Sequence, residues 1–435
     1  TSTTASSKPD SSTASSAASS NASRARPFLN ATTPTSRRAA VRGRLLDDAE
    51  PAWASLPSYE DASTTAATSA TGATATPAAR GVSRSVLSEW EEFKRKHNRT
   101  YHTRDELKRM ASLRRSHGLN TSLDTHHSDE DRMNVFIGRK MVIEEFNKQS
   151  KSFKRALNQF ADLSPQEVVT KHTGLLLTGR KPKGMPFDHK TSGRLLPVVP
   201  RRFDWREKGA LTEPRNQATC GCCWAFAATA ALEAKNFIRT RRLVPLSEQN
   251  LLDCDTLNEK CDGGTPWDAF DWVQFNGGQE ESTNYPYEVL PDRCRQDKTR
   301  LFRINMRGYM SVYPATEENV MTALVTEGPL AVAVNPNLAS FQDYREGVYS
   351  DPECSSAEDE LRHAMLLVGY GDDPADGPFW TLRNSWGRDW GEGGHIRVAR
   401  KDNLCGVTSF AVFPVLGDAP AAPPAAPATA APPPA

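Results

Sequence analysis

Cys223, His363, Asn384 and Gln217 are the residues of this 435-residue chain whose types could together carry out nucleophilic catalysis. Cys223 ends the run Asn216-Gln217-Ala218-Thr219-Cys220-Gly221-Cys222 and precedes Trp224-Ala225-Phe226. After it, 227–239 reads as an Ala-rich helix, with apolar positions at Phe226, Ala230, Ala231 and Phe237. A thiol at a helix start feels the positive end of the helix dipole and unpaired backbone N–H groups, and both favour thiolate. His363 lies 140 residues downstream of Cys223, and Asn384 lies 161 downstream. A thiolate beside an imidazolium whose ring is oriented by a side-chain amide is a complete nucleophilic unit. Gln217 could donate an amide N–H to a developing oxyanion together with the Cys223 backbone N–H.

The elements that must hold these groups belong to one part of the chain. All eight cysteines (Cys220, Cys222, Cys223, Cys254, Cys261, Cys294, Cys354 and Cys405) lie at or after 220. Residues 1–198 carry 31 basic and 20 acidic side chains, whereas 199–416 carry 23 and 32, so two segments of opposite sign can dock on each other. Residues 1–82 are dominated by Ser, Thr and Ala, with too few large apolar side chains to offset the entropy of ordering, and are expected to be disordered. The stretch 417–435 is almost entirely Pro and Ala and reads as an extended tail. The expected division is therefore 1–82, 83–198, 199–416 and 417–435. A net charge of +1 argues against nucleic acid as a partner. No run approaches the roughly 18 apolar residues of a membrane span. The text starts at Thr1 without an apolar leader, so any targeting segment is expected outside it.

Between Leu87 and Asn147 the pattern predicts two amphipathic helices. One carries Trp90, Phe93, Lys94 and His97 with Ser88 as N-cap. The other, from Arg132, carries Val135, Phe136, Met141, Ile143 and Phe146, and Gly118 and Asn120 separate the two. Further on, Leu330-Ala331-Val332-Ala333-Val334 and Phe379-Trp380-Thr381-Leu382 read as strands.

The chain resembles the papain and cathepsin family, whose signature is C-G-[SA]-C-[WY] with His and Asn about 130–150 residues on. The resemblance runs through Asp204-Trp205-Arg206-Glu207-Lys208-Gly209-Ala210, Gln217, and Cys220 to Phe226. It continues in Ser247-Glu248-Gln249, Asp253-Cys254, Cys261-Asp262-Gly263-Gly264 and Tyr285-Pro286-Tyr287. His363-Ala364, Val368-Gly369-Tyr370-Gly371, Asn384-Ser385-Trp386-Gly387 and Trp390-Gly391 complete it. Cys222 departs from it, standing where Ser or Ala is usual, and is read as a buried small hydrophobe. The resemblance implies an α+β papain-like fold of two lobes, a helical left domain from the Cys223 helix and a β-barrel-like right domain from about Arg307, preceded by a mainly helical propeptide. It implies disulfides Cys220–Cys261, Cys254–Cys294 and Cys354–Cys405. It also implies a cysteine endopeptidase acting through an acyl-enzyme, with no cofactor and no metal. Gly263 and Gly264 would bond the backbone of an extended substrate. Thr265, Pro266, Ala333, Leu361, Ala364 and Phe410 would line the pocket for the second side chain before the cut, where Phe410 favours Leu or Val over Arg. Trp386 would cover the His363–Asn384 bond from water. Nothing like an occluding loop with paired His lies between Cys261 and Cys294, and His126-His127 fall upstream, so endopeptidase is expected over exopeptidase.

Other readings of the cysteines remain beside this one. Zinc is disfavoured because paired Cys or His at each end of a ligand run are missing. A redox role for Cys220 and Cys223 has the spacing without the surrounding strand and helix pattern. A catalytically inactive papain-fold binding module is the rival from a different class.

The resemblance reaches upstream to the inhibitory propeptide of cathepsin L-type zymogens. Arg132, Phe136, Ile143 and Asn147 match its helical motif, while Arg139 replaces Asn and Ser128 replaces Glu. Ala156-x-Asn158-x-Phe160-x-Asp162 fits its second block, with Ala for the first Gly. Residues between Tyr101 and Ser128 have no counterpart and read as a charged insertion. By resemblance, residues near 170–195 run through the cleft in a non-productive direction, and maturation cuts between Gly193 and Arg202. The expected partners are peptide or protein substrates and the chain's own propeptide, and a monomer is expected. Three disulfides and sequons at Asn21, Asn30, Asn98 and Asn120 point to the secretory pathway, with a lysosomal, vacuolar or extracellular destination.

Overall fold

Ser83, Thr103, Ser128 and Ser164 each accept a hydrogen bond from a backbone amide three residues on, and each starts a helix. These are α1 (Arg84–Lys96), α2 (Arg104–Ser116), α3 (Asp129–Gln149) and α4 (Pro165–His172). The computed structural model describes residues 83–117, 127–150, 152–177, 179, 181–190 and 199–417. All of them belong to the second of two contact units, Leu56–Ala435. The expectations for 1–82, for the tail beyond 417 and for Asn21, Asn30 and Asn120 lie outside the described residues.

The upstream region departs from the sequence reading in three ways. The cap of α1 is Ser83 and not Ser88, which sits inside the helix. The stretch taken as an insertion contains α2, closed by a Thr103–Glu106 capping box; only Ala111 of that helix is buried, so it lacks an apolar stripe. Met141 is 53% exposed. The buried stripe of α3 is instead Arg132, Met133, Phe136, Arg139 and Ile143, and its two arginines break the apolar pattern. Trp90, Phe93 and Phe136 pack with ring centroids 5.1–5.5 Å apart and join α1 to α3. Arg132 forms a two-pronged pair with Glu167 at 2.7 and 2.8 Å, fixing α4 to α3. Burial opposes that carboxylate's charge, but Arg132 and the Ser164 amide hold its pKa down at about 2.

Downstream, α5 (Cys223–Thr240) is buried on nearly all sides, which its run of alanines permits because small side chains allow close approach. With α6 (Glu248–Cys254), α7 (Pro266–Asn276) and the paired strands β4 (Gly278–Glu280) and β5 (Leu301–Arg303), it forms the helical lobe. The other lobe is a ten-stranded sheet. It contains β6 (Met306–Val312), β7 (Leu330–Val334), β8 (Tyr344–Tyr349), β9 (His363–Asp373), β10 (Gly377–Arg383), β11 (His395–Ala399) and β12 (Ala411–Leu416), with α8 (Glu317–Glu327) and α9 (Ala339–Gln342) between strands. The remaining strands come from earlier in the chain: β1 (Phe153–Arg155), β2 (Met185–Phe187) and β3 (Phe203–Asp204). The order is β1-β8-β11-β10-β9-β7-β12-β6-β2, with β3 on β9, so the upstream segment covers both edges of the sheet. The fold is α+β, with the helical lobe and the sheet lobe meeting where α5 packs on β9. Bonds Cys220–Cys261, Cys254–Cys294 and Cys354–Cys405 leave Cys222 and Cys223 as free thiols.

Candidate active site

Cys223 is the first residue of α5, and His363 is the first residue of β9. One residue beyond His363, the Ala364 backbone N–H donates to the Cys223 sulfur at 3.3 Å, which seats the thiol between the lobes. His363 Nε2 bonds Asn384 Oδ1 at 2.8 Å. Asn384 Oδ1 also accepts the Ser385 N–H at 2.8 Å and is therefore an acceptor, so the imidazole carries its proton on Nε2. Nδ1 is then the basic nitrogen, and it is buried with no hydrogen-bond partner. The Trp386 indole stacks on the His363 ring at 4.8 Å and excludes water from the Asn384 bond.

Gln217 belongs to the same network. Its Nε2 donates to Cys220 O at 2.7 Å, its Oε1 accepts the Ser385 hydroxyl at 2.5 Å, and its backbone N–H donates to Ser385 O at 2.8 Å. Tyr287 OH donates to Gln217 O at 2.7 Å. That uses the only phenolic proton, so the Cys222 thiol, 3.2 Å from the same oxygen, must be the donor to it. Burial pushes the Cys222 pKa far up, which keeps it a neutral thiol. Ser385 and Tyr287 both sit inside blocks quoted from the sequence, yet their types alone signal no such role. The network shows it.

The upstream segment fills the gap between the lobes. His172 Nδ1 lies 2.7 Å from Ala218 O, and Trp386 Nε1 donates to His172 O at 2.8 Å. Phe160 packs edge-on against Trp386 at 4.9 Å. Gly174 and Leu175 amides donate to Arg362 O at 3.1 and 2.9 Å; Gly264 N–H donates to Gly174 O at 2.9 Å and Leu176 N–H to Gly264 O at 3.1 Å. Leu175 and Gly264 thus pair in parallel. Gly174 approaches so closely that a Cβ on it would overlap the Gly221 carbonyl. Leu175 is buried in the apolar cluster that contains Ala333, Leu361 and Ala364, with Phe410 packed against it. Thr265 caps α7, Pro266 is that helix's first residue, and Gly263 touches Leu176. Trp386 stands apart from this group, in the cluster of the sheet lobe.

Closure of the gap decides protonation. Desolvation drives the Cys223 thiol up to about 12, although backbone N–H groups of Ala364, Trp224 and Cys223 oppose it. Desolvation likewise lowers His363 to about 4, against the Asn384 bond. With the gap covered, the pair is therefore neutral thiol and neutral imidazole, and not the ion pair anticipated for a working centre. A low-dielectric site disfavours charge on both partners.

A cysteine at a helix start, bonded by the amide next to a histidine that an asparagine holds, between a helical and a sheet lobe, defines the papain class. Residues 199–415 match the papain family cysteine protease model, and 90–168 match the cathepsin propeptide inhibitor domain. The chain is 38% identical over 321 residues to a KDEL-tailed cysteine endopeptidase of Arabidopsis thaliana, covering 68% of this chain and 86% of that one. It is 36% identical to cathepsin 7 of Mus musculus, covering 76% and 92%. Among solved structures it resembles digestive procathepsin L 3 of Tenebrio molitor larval midgut, at 30% identity and TM-score 0.63, covering 76% and 99%. The chain belongs to the papain family of cysteine proteases. It is a cysteine endopeptidase in zymogen form, carrying a cathepsin-type propeptide.

Proposed function

We propose that Cys223 is the nucleophile, His363 the proton carrier, Asn384 its orienting partner and Gln217 an oxyanion donor. The observation that carries this reading is the unpartnered Nδ1 of a His363 whose tautomer is set by Asn384. Cys223 Sγ attacks the substrate carbonyl while its proton passes to His363 Nδ1. The second N–H of the Gln217 amide and the Cys223 backbone N–H receive the oxyanion. His363 then protonates the leaving amine, and water, deprotonated by the same nitrogen, releases the acyl group.

Within this reading, 83–198 is the inhibitory domain and 199–416 the catalytic one. Thr265, Pro266, Ala333, Leu361, Ala364 and Phe410 line the pocket for the second side chain before the cut; Leu175 lies in the same apolar cluster as Ala333, Leu361 and Ala364, which supports Leu or Val there over Arg. Gly263 and Gly264 bind substrate backbone. A substrate enters antiparallel to Leu175, and the reversed direction of the propeptide keeps its own bonds from being cut. Maturation between Gly193 and Arg202 leaves β3 paired with β9 and Trp205 directly after it in the mature chain; most of that interval lies outside the described residues. Three disulfides support passage through an oxidising compartment to a lysosomal, vacuolar or extracellular site, with the enzyme working as a monomer. Cys223→Ala tests the assignment: peptide cleavage and labelling by an epoxysuccinyl inhibitor should both vanish. Cleavage surviving that change would transfer the role elsewhere.

A further inference from the structure

Beyond the cleft and the β1–β8 pairing, the propeptide makes a further, separate attachment. Strand β2 lies parallel to β6, with Met185, Pro186 and Phe187 opposite Met310, Ser311 and Val312. Tyr313 N–H donates to Phe187 O at 2.9 Å. Phe187 is 5% exposed, and its ring meets Phe413 edge to face at 5.6 Å. On either side, Lys183 N–H donates to Tyr309 OH at 2.8 Å and His189 N–H to Asn319 Oδ1 at 3.1 Å. The approach is acidic: Lys181 stands 3.8 Å from Glu358, and burial and the neighbouring Asp268 raise the Asp271 pKa while Lys183 opposes that rise.

We propose that this edge of β6 is a second peptide-binding site of the mature enzyme, vacated with the propeptide. It takes the N-terminal flank of an extended polypeptide substrate in which an aromatic residue neighbours basic ones. The inference rests on the endopeptidase reading above and extends it from the cleft to a distant exosite. Departure of β2 uncovers a row of strand amides and carbonyls together with an apolar slot over Phe413. Backbone bonding of that kind supplies affinity, and a single side-chain slot supplies preference. Continuity with the cleft identifies the occupant. Gly174, against Gly221, and Met185, on β6, are eleven residues apart in the sequence. A substrate runs oppositely through the cleft, so the part leaving on this side is its N-terminal flank. Residues on the order of ten before the scissile bond then reach β6, at up to about 3.5 Å each. Charge agrees with this occupant, because 199–416 carries 23 basic against 32 acidic side chains.

The test uses enzyme activated from the full chain and a synthetic decapeptide, Lys181 to Lys190. Turnover is measured on a dipeptidyl substrate and on a polypeptide whose flank extends about fifteen residues before the cut. The decapeptide should slow the long substrate roughly tenfold at saturation and leave the dipeptidyl rate unchanged, and its Phe187→Ala version should do neither. Equal slowing of both substrates would put the decapeptide in the cleft, and slowing of neither would mean no such site exists; each overturns the exosite. Dipeptidyl turnover without the decapeptide reports separately on the endopeptidase reading, since its absence would sink that reading first.

Discussion

At the scale of single residues, the centre is held by a chain of bonds that crosses from one lobe to the other. Cys222 donates to Tyr287, Tyr287 to the Gln217 carbonyl, and the Ser385 hydroxyl to the Gln217 side chain; Ser385 N–H then meets the oxygen of Asn384 that fixes His363. Cys at 222 therefore keeps the donor that Ser would supply and Ala would lack, and it is more than a small buried hydrophobe. Tyr287→Phe removes the bond that holds the Gln217 backbone, and a lost bond of this kind is worth about 1 kcal/mol. With Gln217 as the proposed oxyanion donor and the proposed substrate pocket left untouched, kcat should fall about fivefold with KM little changed. Cys222→Ser, which keeps the donor, should retain near-native kcat. Steady-state rates of the activated enzyme on a dipeptidyl substrate measure both.

Elements impose what single residues cannot. Helix α3 supplies Arg139, which reaches across to Asp343 at 2.6 Å while also bonding Phe160 O and Leu163 O; Arg155 of β1 takes the other oxygen of Asp343 at 2.8 Å. All three charges are buried. Taking one partner from a buried pair costs about 3–5 kcal/mol, because the remaining charge has no water to turn to. In a Cys223→Ala background, Arg139→Met should therefore loosen the propeptide, and limited trypsin digestion should remove it faster than from the parent. The extended segment after α4 is equally constrained. A methyl on Gly174 would overlap the Gly221 carbonyl, and neither backbone is free to retreat, since Gly221 N–H is bonded to Cys261 O at 3.1 Å. Gly174→Ala should cost about 1–3 kcal/mol of seating and raise the activity of unprocessed zymogen toward a dipeptidyl substrate by tenfold or more.

For the whole molecule, the propeptide governs protonation as well as access. His172, His363 and His395 are each held near 4 by burial, below their ordinary value of 6.5. The unfolded chain binds protons to these rings at 6.5, and the folded zymogen does so only near 4. Of the three, His172 lies on the propeptide itself, so its contribution to the closed state is present above pH 6.5 and is lost progressively as pH falls toward 4. For His172 alone, the difference amounts to about 3 kcal/mol at the acid limit. Self-processing should accordingly rise as pH drops from 6.5 toward 4. His172→Gln, which cannot gain that proton, should shift the midpoint to lower pH; a midpoint unmoved in a pH series of activation rates would count against this linkage. Thiol labelling offers an independent measure, since Cys223 near 12 should resist alkylation at neutral pH in the zymogen and react once the cleft is open.

What the amino-acid order determined was chemistry and sequence of blocks. Cys223, His363, Asn384 and Gln217 stand out as the proposed centre because their types and order match the family signature, and the Ala-rich stretch after Cys223 reads as the helix that α5 is. The papain-like fold followed from the succession of those blocks. Local signals served less well where stability comes from partners far along the chain. Helix α2 has no apolar stripe to betray it, and α3 hides its buried face behind two arginines whose partners are Glu167 and Asp343. Strands β1 and β2 are three residues long and exist because the sheet edges of β8 and β6 pair with them. Only the tertiary structure decided the protonation of the centre, because desolvation depends on what covers a group, and residues 172–176 cover this one from within the same chain.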